Sequence, residues 1–149
     1  MERTLIIVKP DGVQRGLVGE IVTRLERRGL RLVGLKLTQI DNALARQHYG
    51  EHEGKPFFNG FIEYITSGPV LVGVIEGTNA IEAVRATMGV TNPAKSAPGT
   101  IRGDLAIETG RNLIHGSDSS ESAAKEIARF FQKEELLSYT RDADKWIYE

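Results

Sequence analysis

The order of apolar patterns along the chain limits the fold more than any other feature. Short apolar runs of the strand type alternate with segments whose apolar residues recur at the spacing of a helix. They run strand, helix, strand, two helices, strand, helix, strand, followed by one more helix and a polar tail. This order contains a possible split βαβ repeat. It predicts a ferredoxin-like α/β sandwich, with a four-stranded antiparallel sheet covered by helices.

The predicted elements have recognisable limits. Strands are predicted at residues 4–8, 30–37 and 70–75, and a last strand ends at Leu113 and Ile114. Helices are predicted at residues 18–25, 41–49, 57–65 and 79–87, and a last helix follows His115. Asp41 and Asn79 are expected to cap two helices, Gly29 to stop one, and residues 10–12 to end regular structure after the first strand.

A single histidine closes the last predicted strand, in the stretch Asn112-Leu-Ile-His-Gly-Ser-Asp118. A histidine in such a place is often a hydrogen-bonded structural residue, but a neutral imidazole is also a nucleophile near pH 7. Gly116 allows either the close approach of a ligand or an unusual backbone angle. Both interpretations of His115 therefore stay open on these residues alone.

The helix after this histidine has a carboxylate at the border of its apolar face. Asp118 and Glu121 have the spacing of a capping box, which predicts the start of the helix. The apolar arc consists of Ala123, Ala124, Ile127, Ala128, Phe130 and Phe131, with Lys125, Arg129 and Gln132 on the other side. Glu126 lies between the two sides. If it turned inward, it would accept a hydrogen bond from one ring nitrogen of His115 and leave the other nitrogen free to attack.

Positive charge is concentrated near the same histidine. Residues 85–115 include Arg85, Lys95, Arg102 and Arg111 but only two acidic residues, whereas the whole chain has a net charge of -1. This balance predicts a local anion site and argues against general binding of nucleic acid or acidic membranes. Residues 89–103 form a long loop rich in Gly, Pro, Thr and Asn, and loops of this length are often functional.

Two further residues have both a structural and a functional interpretation. Lys9 lies at the end of the first strand, where it is either a solvated lysine or a ligand-binding residue. Phe57 is off the apolar stripe of the helix at residues 57–65. It is therefore either part of the core or an aromatic surface on which a flat ligand can stack.

Length and composition set the class of protein. A chain of 149 residues is expected to form one domain, residues 1–149. It has no cysteine, its first apolar run is too short for a signal peptide, and no window is long enough to span a membrane. We therefore expect a soluble cytoplasmic protein without a membrane partner. No P-loop or G-x-G-x-x-G motif is present, so any phosphate chemistry must proceed without them.

Several motifs together resemble the nucleoside diphosphate kinase family over nearly the whole chain. They are Thr4-Leu-Ile-Ile-Val-Lys-Pro-Asp-Gly12, Thr91-Asn-Pro93, Pro98-Gly-Thr-Ile-Arg-Gly-Asp104, Asn112-Leu-Ile-His-Gly-Ser-Asp118 and Trp146-Ile-Tyr-Glu149. The resemblance implies transfer of the γ-phosphate of a nucleoside triphosphate, chiefly ATP, to nucleoside diphosphates through a phosphohistidine at His115. Phe61 and Thr109 stand where the family leads us to expect aliphatic residues, which affects packing and not the chemistry.

The resemblance also implies a role for each site residue. Lys9 and Asn112 would hold the ribose hydroxyls, Arg85, Thr91 and Arg102 the phosphates, and Phe57 the base. Tyr49 would lie near the phosphates, Ser117 and Glu126 would support His115, and Lys9 would also act in catalysis. A Mg²⁺ ion would bridge the phosphates and be held mainly by them.

The resemblance further implies a homo-oligomer, with a hexamer favoured and a tetramer as the alternative. The aromatic residues of Trp146-Ile-Tyr148 lie close to the C-terminus, where they either pack on a partner subunit or fold back on their own chain. Pro98 and Gly99 would lie at a subunit junction.

Two other functions remain as alternatives to phosphate transfer. A nucleic-acid-binding ferredoxin-like module would need an aromatic strand signature, which is absent, and a basic sheet face. A regulatory nucleotide-binding domain would need no reactive histidine. Formation of a phosphoenzyme separates the enzyme from both.

Overall fold

A four-stranded antiparallel sheet forms the centre of the molecule in the computed structural model, which describes residues 1–149. The strands are β1 (Glu2–Val8), β2 (Arg31–Gln39), β3 (Pro69–Gly77) and β4 (Ile114–Gly116). Their order across the sheet is β2-β3-β1-β4, and β1 pairs antiparallel with both β3 and β4. The predicted sandwich with a four-stranded antiparallel sheet is confirmed.

Seven α-helices cover the sheet. They are α1 (Pro10–Gln14), α2 (Val18–Arg27), α3 (Asn42–His48), α4 (Phe58–Ile65), α5 (Ala80–Met88), α6 (Ile101–Leu105) and α7 (Ser120–Phe130). The five long predicted helices are present, but α1 and α6 were not predicted. Residues 10–12 do not end regular structure, because Pro10 occupies the first turn of α1, where a missing N–H costs nothing. None of these helices has both the length and the apolarity needed to cross a membrane.

Alternate residues of β1 are buried in two separate cores, one on each face of the sheet. Leu5 and Ile7 pack with residues of α3, α4 and α7, whereas Ile6 and Val8 pack with residues of α2, α5 and α6. All four side chains are fully buried. The continuous apolar run in β1 is explained by this burial on both faces.

Register on the sheet determines which core His115 faces. His115 lies opposite Ile7 in the β1–β4 pair. Residues directly opposite each other in an antiparallel pair project from the same face. His115 therefore points to the side of α3, α4 and α7, while Ile114 and Gly116 point towards α5.

The helix caps agree with the sequence only in part. Asp41 caps α3 as predicted, since its side chain accepts from the N–H of Leu44 at 2.8 Å. Asn79 precedes α5 in a left-handed conformation (φ 51°) without capping it. The N–H of Ile81 donates instead to the carboxylate of Glu2 at 2.9 Å. The cap of α5 therefore comes from β1, far away in sequence.

The start of α7 and its apolar arc also differ from the prediction. Ser119, not Asp118, is the N-cap, and its hydroxyl accepts from the N–H of Ser122. Ala124 and Ala128 are exposed. The helix packs on the core through a narrower stripe that includes Ala123 and Phe130, since it lies on the sheet surface and leaves one side to solvent.

Candidate active site

A strained turn precedes the histidine strand. Leu113 has φ 74° although it carries a bulky side chain, and the N–H of Ile114 donates to the carbonyl of Asn112 at 2.9 Å. This is a γ-turn with a positive φ at its centre, a conformation that costs on the order of 1–3 kcal/mol. The prediction that Leu113 belongs to the strand was wrong. The strand begins only at Ile114, immediately after the turn.

His115 is held by one carboxylate oxygen. Its Nε2 lies 2.7 Å from Oε1 of Glu126, and the hydroxyl of Ser117 donates to the same oxygen at 2.9 Å. Ser117 is fully buried and its Oγ also accepts from the N–H of Leu5 at 3.2 Å. Glu126 does turn inward from the border of α7. Ser117 lies on the side of Glu126 that faces away from the cleft.

The ionisation of Glu126 identifies which ring nitrogen is free. Burial would raise the pKa of this carboxyl, but the hydrogen bond and charge of His115, with the Ser117 hydroxyl, hold it below its usual value. Glu126 is therefore a carboxylate that can only accept, so Nε2 of His115 carries the proton. The lone pair is left on Nδ1, which can act as a nucleophile.

A second histidine, which no sequence pattern singled out, packs on the first. The ring of His48 lies edge-on to His115 with centroids 5.0 Å apart, and Arg129 donates to Nδ1 of His48 at 3.0 Å. Burial first, and then the nearby His115, lowers the pKa of His48 to about 3. His48 is thus neutral at pH 7 and fixes the ring of His115 without adding charge. Its position at the C-terminal end of α3 gave no sequence signal.

Tyr49 is buried beside these two rings. Its hydroxyl has no hydrogen-bond partner in the protein. Burial raises the pKa of this phenol, so it stays a donor. A buried hydroxyl without a partner is uncommon in proteins and is explained if a ligand accepts from it.

Arg102 is a buried cation held only by carbonyl groups. Its guanidinium donates to the carbonyls of Gly89, Asn112 and Ile114, at 3.2, 3.1 and 2.6 Å. Burial first, and then the charge of Arg85, lowers the pKa of Arg102 to about 10, so it remains charged at pH 7. These bonds use three of its five donors, which leaves two for a ligand.

Lys9 is buried too, which excludes the solvated lysine that the sequence left open. It is 9% exposed, and its ammonium donates to Oδ1 of Asn112 at 2.8 Å. The Asn112 amide nitrogen donates in turn to the carbonyl of Thr91 at 3.0 Å. Burial, together with the charge of Arg102, lowers the pKa of Lys9 to about 8, although Asp11 raises it. Lys9 and Asn112 thus form one hydrogen-bonded unit.

Arg85 and Phe57 remain exposed at the edges of this group. Arg85 donates to the carbonyl of Gly116 at 3.0 Å. Gly116 has no positive φ, and a Cβ there would meet the Met88 sulphur at 2.6 Å, so the glycine is required by the packing of α5. Phe57 is 55% exposed, which excludes a core role, and its ring lies 5.7 Å from that of His52.

The residues enclose a cleft of about 500 Å³. Its lining includes Lys9, Tyr49, Arg85, Thr91, Arg102, Asn112, His115 and Glu126. His48, His52 and Arg129 also line it and were not predicted, whereas Phe57 and Ser117 are not part of the lining. The volume is within the range of small-molecule sites.

The charges of the cleft favour an anion over a bare metal ion. His48, His115 and Glu126 place three possible ligand atoms within 4.8 Å of one another. However, Arg129 occupies Nδ1 of His48, and Glu126 is already bonded to His115 and Ser117. Lys9, Arg85 and Arg102 add three positive charges close by, which would repel a cation without its own anionic partner.

Comparison with known protein families gives one clear match. The family model described as nucleoside diphosphate kinase matches residues 2–136. The nucleoside diphosphate kinase of Roseiflexus castenholzii is 65% identical over 149 residues, which is the full length of both chains. That of Carboxydothermus hydrogenoformans is also 65% identical over the full length of both.

Solved structures give the same result for the fold. A halophilic nucleoside diphosphate kinase from Halobacterium salinarum, in complex with CDP, superposes with a TM-score of 0.97 at 55% identity and covers 99% of each chain. A nucleoside diphosphate kinase family protein from Babesia bovis gives a TM-score of 0.96 at 47% identity, covering 99% of this chain and 100% of that one.

Proposed function

This chain belongs to the nucleoside diphosphate kinase family of phosphotransferases, and we propose that it moves the γ-phosphate of a nucleoside triphosphate, chiefly ATP, through His115. The observation that carries the proposal is the bond from His115 Nε2 to Glu126 at 2.7 Å. That bond fixes the tautomer and leaves Nδ1 unprotonated in a cleft lined by cations.

The transfer takes place in two balanced steps. In the first, the lone pair of Nδ1 forms a bond to the γ-phosphorus, the bond from phosphorus to the bridging oxygen breaks, and the nucleoside diphosphate leaves with that electron pair. In the second, a terminal oxygen of another nucleoside diphosphate forms a bond to the phosphorus, the Nδ1–P bond breaks with its electron pair returning to Nδ1, and a nucleoside triphosphate leaves. In both steps Glu126 accepts the hydrogen bond from Nε2, so the proton stays on that nitrogen. Its negative charge also stabilises the positive charge that develops on the His115 ring.

Lys9 and Asn112 are proposed to hold the ribose hydroxyls. Lys9 uses one of its three donors on Asn112, so two remain for a ligand. The resemblance to the family gives both residues this role, and their shared hydrogen bond places them side by side. A charged Lys9 would also assist the transfer through its positive charge.

The phosphates are proposed to bind Arg85, Thr91 and Arg102, with Tyr49 beside them. Arg102 offers two free donors, and the buried Tyr49 hydroxyl lacks a partner. Positive groups fixed in advance around a phosphate stabilise the transition state without reorganisation. The arginines are therefore expected to matter for both binding and rate.

Phe57 is proposed to stack on the base. The ring is exposed, and His52 connects it to the cleft. Stacking on a π-face accepts every base, whereas hydrogen bonds to base edges would discriminate among them. Broad base acceptance follows from this arrangement.

Magnesium is the proposed cofactor. Glu51, Asp118 and Glu126 line the cleft, but Glu126 is engaged by His115 and Ser117, and the other two belong to no cluster of three metal-ligating side chains. This fits an ion bound mainly by the nucleotide phosphates, as is common for Mg²⁺ in phosphoryl transfer. When bound there, it would neutralise phosphate charge together with Arg85 and Arg102.

The direct test is detection of the phosphoenzyme. The protein is incubated with ATP and Mg²⁺, and its intact mass is measured before and after mild acid. We expect one added phosphate that acid removes and that fresh ATP restores at neutral pH. A nucleotide-binding regulatory domain would show no added phosphate, and that result would overturn the proposal.

A homo-oligomer is proposed as the working form, a hexamer before a tetramer. The tail bonds to the backbone at the outer edge of β2 only at Leu32 and Val33. Beyond them this edge has no strand partner, and it carries Leu35 and Leu37, which are 45% and 64% exposed. The tail also leaves Trp146 82% exposed. A free sheet edge with exposed leucines is suited to pairing with a second copy of the chain. Light scattering that gave the mass of one chain would refute the proposal, and four chains would favour the tetramer.

We also propose that residues 1–149 act as one domain in the cytoplasm. Both cores pack on the same sheet, and the chain has no cysteine that would require an oxidising compartment. Unfolding in urea should show a single transition, and cell fractionation should recover the protein with the cytoplasm.

A further inference from the structure

We propose that Asp11 is a positioning residue for the nucleophile, because it holds the strained turn at Leu113. Its Oδ2 accepts the N–H of Leu113 at 3.2 Å, and its Oδ1 accepts the hydroxyl of Tyr64. The inference rests on the proposed transfer through His115. It gives a function to a carboxylate that this transfer does not use.

The turn is held from two sides by the same short segment. The carbonyl of Leu113 accepts the N–H of Lys9 at 2.8 Å, while its N–H donates to Asp11. Lys9 follows β1 as the N-cap residue of α1, and Asp11 lies in the first turn of this helix. Both peptide groups that flank the positive φ of Leu113 are thus bonded to the junction between β1 and α1. A bulky aliphatic residue keeps such a strained backbone angle only where the surrounding structure holds it.

Asp11 is itself fixed by a partner from α4. The Tyr64 hydroxyl donates to it, and the guanidinium of Arg111 stacks on the Tyr64 ring at 4.3 Å from the centroid. Burial, and then the bond to Asp11, raises the pKa of this phenol, so it remains a donor. These residues line a separate cavity that shares no lining residue with the nucleotide cleft. Asp11 therefore acts through the turn and not by contact with substrate.

The turn lies between Asn112 and His115, whose relative position must be fixed for the transfer. Asn112, on one side, is bonded to Lys9 at the proposed ribose site, and His115 lies two residues beyond the turn. If the turn relaxes, the nucleotide still binds but the γ-phosphorus and Nδ1 are no longer aligned. Misplacement by about 1 Å can slow a reaction by roughly 100-fold.

The test compares three variants in a single turnover of phosphorylation by ATP and Mg²⁺. Asp11→Ala removes both bonds, Asp11→Asn keeps one acceptor oxygen for two donors, and Tyr64→Phe removes only the phenol. We expect Asp11→Ala to slow phosphorylation roughly 10- to 100-fold, with smaller losses for the other two. ADP affinity should change far less than the rate. Asp41→Ala is the control, since it removes a carboxylate that also accepts a backbone N–H but lies outside the cleft lining.

The charge of Asp11 also influences Lys9, so the assay is run at pH 6.5 and at pH 8.5. The pKa of Lys9 is about 8, and Asp11 raises it. A rate loss that is the same at both pH values supports positioning. A loss that disappears at pH 6.5, below the pKa of Lys9 in the wild type, would assign the effect to Lys9 and overturn the proposal.

Stability and the wild-type protein supply the remaining controls. If Asp11→Ala and Asp41→Ala lower the urea midpoint equally but only the former slows phosphorylation, the effect is on position. If both retain the wild-type rate, the positioning inference fails while the proposed function stands. A wild-type protein that takes no phosphate would instead refute the proposed function.

Discussion

The histidine segment and the C-terminal tail show opposite ways of arranging residues beside the same sheet. In the segment 112–117, every residue except His115 is buried. Its polar groups bond within the chain to Lys9, Asp11 and Arg102. The tail also bonds to its own chain, since Arg141 donates to the carbonyls of residues 29 and 30 and Leu137 to that of Val33. Yet its Trp146 is 82% exposed.

This difference suggests a division of roles, with the histidine segment carrying out the chemistry and the tail contributing to assembly. The position of His115 is determined by bonds within one chain, so phosphate transfer is expected to need no partner subunit. The tail folds back on its own chain, where Ile147 lies against Gly29 and Tyr148 against Gly77, but Trp146 stays exposed. Whether Trp146 packs on a partner subunit stays a prediction. The remaining exposed surface fits contact with another copy. The following predictions test this division, from the largest expected effect to the smallest.

The largest effect is expected from His115→Ala. It should abolish the phosphoenzyme and the transferase activity, because Nδ1 of each other histidine in the cleft is engaged, by Arg129 at His48 and by Lys55 at His52. ADP should still bind, since Lys9, Arg85, Arg102 and Phe57 are unchanged. Intact mass and calorimetry measure the two properties.

The matched control for this variant is His52→Ala. His52 also lines the cleft but makes no bond to Glu126. It should keep its phosphoenzyme. Full activity in His115→Ala would refute phosphate transfer through His115.

A smaller effect is expected from Phe57→Ala. Loss of one stacking surface should weaken binding of all nucleoside diphosphates by about 1–3 kcal/mol, the usual value for a base on an aromatic ring. Phe57→Tyr, which keeps the ring, is the control. Calorimetry with ADP, GDP, CDP and UDP checks the result, and a loss confined to purines would show that base edges are recognised.

Nucleotide affinity should depend on pH through Lys9. The pKa of Lys9 in the free protein is about 8, so its positive charge is lost as pH rises through that value. ADP affinity should then fall by up to about tenfold per pH unit, and Lys9→Gln should bind weakly at every pH without this slope. A wild-type affinity that stays constant from pH 7 to 9 would contradict the assignment.

The stability of the free protein should change in the opposite direction. Between pH 8 and the ordinary pKa of lysine at 10.5, the unfolded chain binds more protons than the folded chain. The free energy of unfolding therefore rises with pH over this window, because charged Lys9 is disfavoured by burial. Urea unfolding of wild type and Lys9→Gln at several pH values isolates this contribution.

The smallest effect on chemistry is expected from deletion of residues 145–149. Loss of Trp146 should dissociate a hexamer, as measured by light scattering, while the single-turnover rate of phosphorylation stays close to that of the intact chain. Trp146→Ala is the single-residue version of the same test. If the deletion variant kept the mass of the oligomer but lost phosphorylation, the tail would serve the chemistry and not the assembly, which would contradict the proposed division.

Much of the fold could be predicted from sequence periodicity. The four strands, the five long helices and the Asp41 cap depend on residues a few positions apart, and Glu126 bonds to His115 only 11 positions away. The missed features depend on distant partners. Glu2 caps α5, and His48 meets His115 only because α3 packs on the same face of the sheet.

The sequence by itself determined the alternation of strands and helices, the nucleophile candidate and its carboxylate, because spacing of 2 or 3.6 residues places side chains on a face. Only the tertiary structure decided the burial of Lys9 and Arg102 and the turn at Leu113. The bond from Leu113 to Asp11 joins residues 102 positions apart, and that from Lys9 to Asn112 joins residues 103 apart. No local pattern encodes such pairs, since their partners meet only when the sheet has formed and burial has removed the competing water.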